Sequence, residues 1–118
     1  MGESVLREKS YAFALGVIRV YKQIVSEHKE FVLSKQFLKA GTATGALVYE
    51  AEFAQSKADF VSKLSIALKE SNETTYWISL LRDSDYITPT TAADLLTNNL
   101  EITKILTASI KTLKTTNT

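Results

Sequence analysis

A run of apolar and small residues in the middle of the chain constrains its fold more than any other feature. Its members recur in alternating steps of four and three residues and are Phe60, Leu64, Ala67, Ser71, Thr74, Ile78 and Leu81. With this spacing, one face of a helix packs along a neighbouring helix. The small and polar members at the centre allow a partner backbone to come close. The run therefore predicts a long helix packed against others along its length.

Helical periodicity also covers the rest of the chain. The first segment, about residues 4–28, carries an apolar stripe with polar residues on the other side. Because the stripe is too wide for one neighbour, it suggests contacts with two helices or with a second subunit. The other helices are predicted at about 34–55, 57–83 and 89–114.

Residues that favour the start of a helix stand in front of three of these segments. Ser34 is a plausible N-cap for the second helix. Ser56, followed by Asp59 three residues later, has the spacing of a capping box before the third helix. Thr88 and Pro89 have the order typical of an N-cap and a first helical residue.

The composition fits one small domain and removes several functional classes. Apolar residues make up 45% of the 118 residues and charged residues 23%, as in ordinary globular domains. Without cysteine, a disulfide framework, a thiolate metal site and a cysteine nucleophile are excluded. No strand-like alternation is present. We expect a single all-α domain, residues 1–118, folded as an antiparallel up-down four-helix bundle.

Neither export nor membrane insertion is predicted. The first residues include charges where a signal peptide needs an apolar run. No uncharged apolar stretch is long enough to span a membrane. We therefore expect a cytoplasmic protein that makes no membrane contact.

The segment "GTATG", residues 41–45, raises three alternatives. A phosphate-binding loop is disfavoured because the spacing is one residue short and no lysine follows Gly45. A membrane dimerisation motif is excluded by nearby charged residues. Gly41 and Gly45 are four residues apart and share a helix face, where a neighbouring backbone can approach. The segment therefore predicts a tight or bent crossing of two helices.

Catalytic and metal sites are not predicted. The one histidine, His28, falls near a helix end, so no general base is placed to activate a serine. A di-iron site needs Glu-x-x-His pairs that the chain lacks. Glu50 is expected to pair with Lys63 or Lys69, or to satisfy hydroxyls within the bundle. These patterns predict a non-enzymatic protein without a metal or cofactor.

Basic residues on the first two helices are candidates for nucleic-acid contacts. The net charge of +1 is well below that of a dedicated nucleic-acid-binding domain. Most such charges only solvate a helix face, but oligomerisation around an axis would sum their potential and could hold phosphates. The candidates are Arg7, Arg19, Lys22, Lys35 and Lys39.

Tyr76 and Trp77 are candidates for an interface. The two residues are adjacent, so their side chains point in different directions. One can reach a groove between helices while the other lies at the surface or at a subunit contact. Tyrosine and tryptophan are favoured anchors at protein interfaces, although partial burial in the core explains them equally well.

Three stretches together resemble the 23S rRNA intervening-sequence family. They are "EKSYAFALGVIRVY", "LSKQFLKAGTATGALVYEAEFAQSKADFVSKLSIALKESNETTYW" and "EITKILTASIKTLK". The resemblance covers nearly the whole chain and implies a four-helix bundle that assembles as a ring-shaped homo-oligomer, typically a pentamer. It also implies a relation to the accessory variability determinant proteins of diversity-generating retroelements, which bind nucleic acid and a reverse transcriptase. No catalytic residues are recognised in the family.

The residues and the resemblance leave two functions open. One is a non-enzymatic oligomeric protein that binds RNA or DNA through basic residues gathered around a ring. The alternative is a scaffold that recruits another protein and does not bind nucleic acid. The apolar surplus of the first helix, together with Tyr76 and Trp77, favours the alternative.

Overall fold

Four helices make up the computed structural model, which describes the backbone of residues 2–115 and the side chains of residues 5–115. The helices are α1 (Gly2–His28), α2 (Leu33–Ala51), α3 (Lys57–Asp83) and α4 (Pro89–Thr115). No strand occurs in this part of the chain. Each helix packs against the next one, and α4 packs against α1. The prediction of an all-α, four-helix architecture is confirmed.

Side-chain contacts show the direction of the helices. Arg7, near the start of α1, bonds to Glu52 just beyond the end of α2. Glu50, near the end of α2, pairs with Lys63 near the start of α3. Between α3 and α4, Ser71 contacts Thr103 and Thr75 contacts Asn99. Consecutive helices are thus antiparallel, and the chain runs up and down through the bundle.

A single apolar core runs along the centre of the bundle. All members of the predicted run on α3 are buried except Phe60, which is partly buried and packs against the core. The largest fully buried apolar side chains come from all four helices: Leu6, Val17, Ile24, Phe37, Leu64, Ile78, Leu81, Ile102 and Leu106. The four helices therefore share one core.

Hydroxyl groups cap α3 and α4. The Ser56 hydroxyl oxygen accepts a hydrogen bond of 3.0 Å from the Asp59 N–H, and the Asp59 carboxylate accepts one of 3.1 Å from the Gln55 N–H. At the start of α4, the Thr88 hydroxyl oxygen accepts a hydrogen bond of 3.1 Å from the Thr91 N–H. The bonds to the Ser56 and Thr88 hydroxyl oxygens satisfy N–H groups that the first turn of a helix leaves without partners.

The prediction of Ser34 as the N-cap of α2 is wrong. The helix begins at Leu33, and Ser34 is buried, with its hydroxyl donating to the Glu30 carbonyl at 2.6 Å. The cap is the Glu30 carboxylate, which accepts from the N–H groups of Val32 at 3.0 Å, Leu33 at 2.9 Å and Ser34 at 2.7 Å. Burial alone would raise the pKa of Glu30, but these hydrogen bonds outweigh it and lower the pKa.

The predicted end of α2 at about residue 55 is also wrong, because the helix ends at Ala51. The N–H of Phe53 bonds to the Glu50 carbonyl at 3.0 Å, and the N–H of Ala54 bonds to the Ala51 carbonyl at 3.1 Å. These bonds span three residues instead of four and tighten the chain into a turn. The next N–H, that of Gln55, is taken by the cap of α3.

Candidate nucleic-acid interface

The close approach of α1 and α2 determines where the basic residues of both helices lie. A Cβ atom added at Gly41 would lie 2.8 Å from both Cγ atoms of Val17. One added at Gly45 would lie 3.2 Å from the backbone oxygen of Ser10. The two glycines therefore permit a backbone approach that larger residues would obstruct.

Arg7 and Arg19 lie on different sides of α1. The guanidinium of Arg7 bonds to the Glu52 carboxylate at 2.8 Å, on the side that faces α2. Arg19 lines the groove between α1 and α4, together with Asp94 and Glu101. Arg7 is thus paired with a carboxylate, whereas Arg19 forms no ion pair with a described residue but shares its groove with two acidic side chains.

Lys22, Lys35 and Lys39 are exposed, and none of them forms an ion pair with a described residue. The contact of Gly41 with Val17 sets the antiparallel register of α1 and α2. Five residues beyond Val17, Lys22 is level with about residue 36 of α2. The structure thus brings these three lysines to one end of the α1–α2 pair and leaves the two arginines outside the group.

Glu50 lies at the surface between α2 and α3. Its carboxylate is 3.4 Å from the Lys63 ammonium, and its side chain is 58% exposed. The carboxylate therefore pairs with one of the two expected lysines. It does not satisfy hydroxyls within the bundle, because residue 50 points outward.

Tyr76 and Trp77 are placed differently. Trp77 is partly buried against the core, and its indole N–H donates to the Glu73 carboxylate at 3.0 Å. The side chain of Tyr76 is exposed, and its ring meets the Trp77 ring edge-on with the centroids 5.0 Å apart. Only Tyr76 offers most of its surface to another molecule.

A set of exposed apolar side chains on α1 and at the end of α2 is not predicted from the sequence. Four exposed side chains, Tyr11, Leu15, Tyr49 and Phe53, define what we call the aromatic face. The rings of Tyr49 and Phe53 have centroids 5.4 Å apart. The sequence signal for this face is the spacing of four residues within each pair, Tyr11 with Leu15 and Tyr49 with Phe53, because residues four apart share a helix face.

A polar cluster between α3 and α4, in which Ser71 and Asn99 are buried, is also not predicted. We call Ser71, Thr75, Asn99 and Thr103 the Asn99 cluster. The Asn99 amide donates to the Ser71 carbonyl at 2.8 Å and to the Thr75 hydroxyl oxygen at 3.0 Å. The hydroxyls of Ser71 and Thr103 are 2.7 Å apart. Asn99 lies four residues after a buried leucine and three before a buried isoleucine, and that spacing predicts burial.

Comparison with known proteins identifies the family. The model of the 23S rRNA-intervening sequence protein family matches residues 3–108. This chain belongs to that family. A similar crystal structure is that of a protein with unknown function from the S23 ribosomal protein family of Bacteroides thetaiotaomicron. It has 49% sequence identity and a TM-score of 0.92, over 94% of this chain and 99% of that one. No curated protein matches.

The 23S rRNA-intervening sequence family therefore accounts for the resemblance in the sequence, and the relation to retroelement accessory proteins stays a prediction. Among the described side chains of this family member, no group of three or more histidine, aspartate or glutamate residues could hold a metal ion. His28 meets the Tyr86 ring edge-on, with the centroids 5.4 Å apart. None of the described helices combines the length and the apolar character needed to cross a membrane.

Proposed function

We propose that this member of the 23S rRNA-intervening sequence family is a non-enzymatic, self-associating bundle that binds RNA or DNA. The observation that carries the proposal is the group of three exposed lysines, Lys22, Lys35 and Lys39, without acidic partners among the described residues. Lysines in such a group bind phosphates and release the counterions of the nucleic acid. Arg7 is secondary because it pairs with Glu52, and Arg19 because two acidic side chains line the same groove.

Self-association supplies the charge density that one chain lacks. A single copy has a net charge of only +1, so its long-range attraction for phosphates is weak. A homo-oligomer, in the ring of five that the resemblance implies, brings several lysine groups together, and their potentials add. The aromatic face supports assembly, because exposed apolar patches and tyrosine side chains are typical of protein interfaces.

The names of the relatives support RNA as the first ligand to test. The family is described by an intervening sequence of 23S rRNA. The solved relative is assigned to the S23 ribosomal protein family. Both names point to ribosomal RNA, and neither states a binding activity.

The test is fluorescence anisotropy of a labelled structured RNA, titrated with protein at about 50 and about 200 mM salt. We expect binding that weakens steeply with salt. The double substitution Lys22→Glu with Lys35→Glu should weaken binding at least about ten-fold and reduce the salt slope by about 1 to 2. No binding of the unmodified protein at the lower salt would contradict the proposal.

The matched control changes the net charge equally at other positions. Lys63→Glu with Arg82→Glu alters two cations that already pair with Glu50 and Asp83. We expect this control to keep its affinity within about two-fold, because paired cations contribute little to a phosphate contact. An equal loss in both double variants would mean that net charge matters and that the lysine group does not.

A protein-binding scaffold is the second candidate, and the aromatic face favours it. Its aromatic side chains Tyr11, Tyr49 and Phe53 are exposed, and the rings of Tyr49 and Phe53 have centroids 5.4 Å apart. If light scattering shows an oligomer of the 13.1 kDa chain and the titration shows no RNA binding, the scaffold function is favoured.

A further inference from the structure

The acidic residues of α4 lie on the side of this helix that faces α1. The Glu101 carboxylate is 3.5 Å from the Lys9 ammonium of α1. Asp94 lines the groove between α1 and α4 together with Glu101. Neither carboxylate lines the groove between α3 and α4.

The lysines of α4 lie on the α3 side. Leu100 lines the groove between α3 and α4, and Lys104 and Lys111 follow it by four and eleven residues. At 3.6 residues per turn, all three residues fall on one side of the helix. Both lysines are exposed, and neither forms an ion pair with a residue that the structure describes.

A groove of ≈ 380 Å³ separates α3 from α4 at this face. Polar and apolar side chains both line it: Asn72, Thr75, Leu96, Leu100 and Thr103. The Thr75 hydroxyl oxygen accepts from the Asn99 amide, so its own hydrogen can be donated to a ligand. The groove therefore offers both a hydrogen-bond donor and apolar contact.

The α3 side of this groove adds a charge and an exposed ring. Lys69, Asn72 and Tyr76 are three and then four residues apart and share one side of α3. The bond between Thr75 and Asn99 sets the antiparallel register, which places Lys69 level with about residue 105 of α4. Lys69 and Lys104 thus flank the groove at the same level.

We propose that this α3–α4 face is a track for single-stranded nucleic acid. Tyr76 stacks on a base, and Lys69, Lys104 and Lys111 hold phosphates. The inference rests on the proposed function and adds to it a second surface and a class of ligand. An exposed ring on the same face as lysines fits a single strand because the bases of a single strand are free to stack, whereas those of a duplex are already stacked.

Two double charge reversals on opposite sides of the bundle test the track. Labelled uridine and thymidine homopolymers are titrated with each of two double variants, and binding is measured by fluorescence anisotropy. The α4 variant carries Lys104→Glu and Lys111→Glu, and the α1–α2 variant carries Lys22→Glu and Lys35→Glu. Both variants change the net charge equally. We expect the α4 variant to bind at least about ten-fold more weakly than the α1–α2 variant, with its salt slope reduced by about 1.4. A larger loss in the α1–α2 variant, or equal losses, would overturn the inference and leave nucleic-acid binding itself standing.

Tyr76→Ala tests stacking, with Phe31→Ala as its match, because the two side chains are 59% and 56% exposed and Phe31 is outside the aromatic face. We expect Tyr76→Ala to weaken binding of the homopolymers about ten-fold, Tyr76→Phe to retain it, and Phe31→Ala to change it little. Equal effects at both positions would overturn the role of Tyr76.

Competition separates a nucleic-acid track from a general polyanion surface. A polyglutamate peptide of equal charge should displace the labelled homopolymer poorly, because it lacks bases to stack on Tyr76. Equally strong displacement would overturn the assignment to nucleic acid and favour an acidic protein segment. If the unmodified protein binds neither homopolymer nor structured RNA, the proposed function fails together with this inference.

Discussion

The two halves of the bundle are held together by different means. Between α1 and α2, Gly41 and Gly45 let the backbones approach, and Val17 fills the space that a Cβ at Gly41 would take. Between α3 and α4, the Asn99 cluster places an amide and three hydroxyls in or beside the core. One contact depends on shape, and the other on hydrogen bonds whose partners must all be present.

The two contacts fix the register of their helix pairs in different ways. A shift of α2 along α1 would move a residue with a Cβ against Val17, which is stiff because it is β-branched. A shift of α4 along α3 would leave the buried Asn99 amide without its acceptors, and an unpaired buried polar group costs about 1 to 3 kcal/mol. Both devices oppose a wrong register, the first by steric overlap and the second by lost hydrogen bonds.

The largest expected effect is at Asn99. Asn99→Ala removes two donated hydrogen bonds and leaves a cavity at a fully buried position. We expect the free energy of unfolding to fall by about 3 kcal/mol. Urea denaturation followed by circular dichroism measures this change. A loss below about 1 kcal/mol would contradict the importance of the cluster.

A paired substitution sharpens this test. Asn99→Leu with Ser71→Ala removes both side chains of the hydrogen bond that the Ser71 hydroxyl donates to the Asn99 amide oxygen at 3.2 Å, and leucine fills most of the space that Asn99 occupies. We expect it to cost much less than Asn99→Ala, about 1 kcal/mol, because removing both partners avoids most of the desolvation penalty.

The second effect is at the contact of α1 with α2. Gly41→Ala gains about 1 kcal/mol in helix propensity, but its Cβ would lie 2.8 Å from the Cγ atoms of Val17. Overpacking costs about 1 to 3 kcal/mol, so we expect a net loss of about 1 kcal/mol in the free energy of unfolding. Thermal and urea denaturation measure it.

Gly16 is the matched control. A Cβ at Gly16 would meet only the Arg19 guanidinium, at 3.9 Å. Gly16→Ala should therefore stabilise the protein by up to about 1 kcal/mol through helix propensity alone. If Gly41→Ala is as stabilising as Gly16→Ala, the α1–α2 contact is not limited by shape.

The smallest effect is a pH dependence of stability, which differs between the cap of α2 and the cap of α4. Glu30 caps α2 with a carboxylate whose pKa is lowered in the folded protein, whereas the Thr88 hydroxyl that caps α4 does not titrate in this range. A lowered folded pKa means that the stabilisation is complete above the ordinary glutamate pKa, about 4.3. It is lost as the pH falls through the folded value.

We expect Glu30→Gln to cost about 1 kcal/mol at pH 7 and progressively less as the pH falls below about 4. Thr88→Ala should cost about 1 kcal/mol both at pH 7 and below about pH 4. The unfolding midpoints of the two variants, each compared with the unmodified protein at pH 7 and at the lower pH, measure the difference. A constant effect of Glu30→Gln across this range would show that its charge does not matter.

Periodicity explains why the sequence predicts the helices and most of the core. Helical spacing alone places the α3 run inside the bundle. The ends of α2 escape prediction because they depend on groups outside the helix. The cap is the side chain of Glu30, three residues before the helix. The helix ends because the N–H groups after Ala51 bond to carbonyls three residues earlier, beginning with Tyr49.

The candidate sites are only partly predictable for a related reason. Spacing assigns Arg7 and Arg19 to one helix, but their acidic neighbours come from α2 and α4. Which cations stay unpaired therefore depends on how the helices pack. The exposure of Tyr76 beside the partly buried Trp77 also depends on packing, although their opposite placement follows from their being adjacent.

Trp77 gives the protein an optical reporter of its own. It is the one tryptophan of the chain, its indole N–H is bonded to Glu73, and the Tyr76 ring is 5.0 Å away. Excitation energy absorbed by Tyr76 can therefore be transferred to the indole, whose emission wavelength depends on how much water surrounds it. Loosening of α3, or a ligand that stacks on Tyr76, would change this emission in the unlabelled protein.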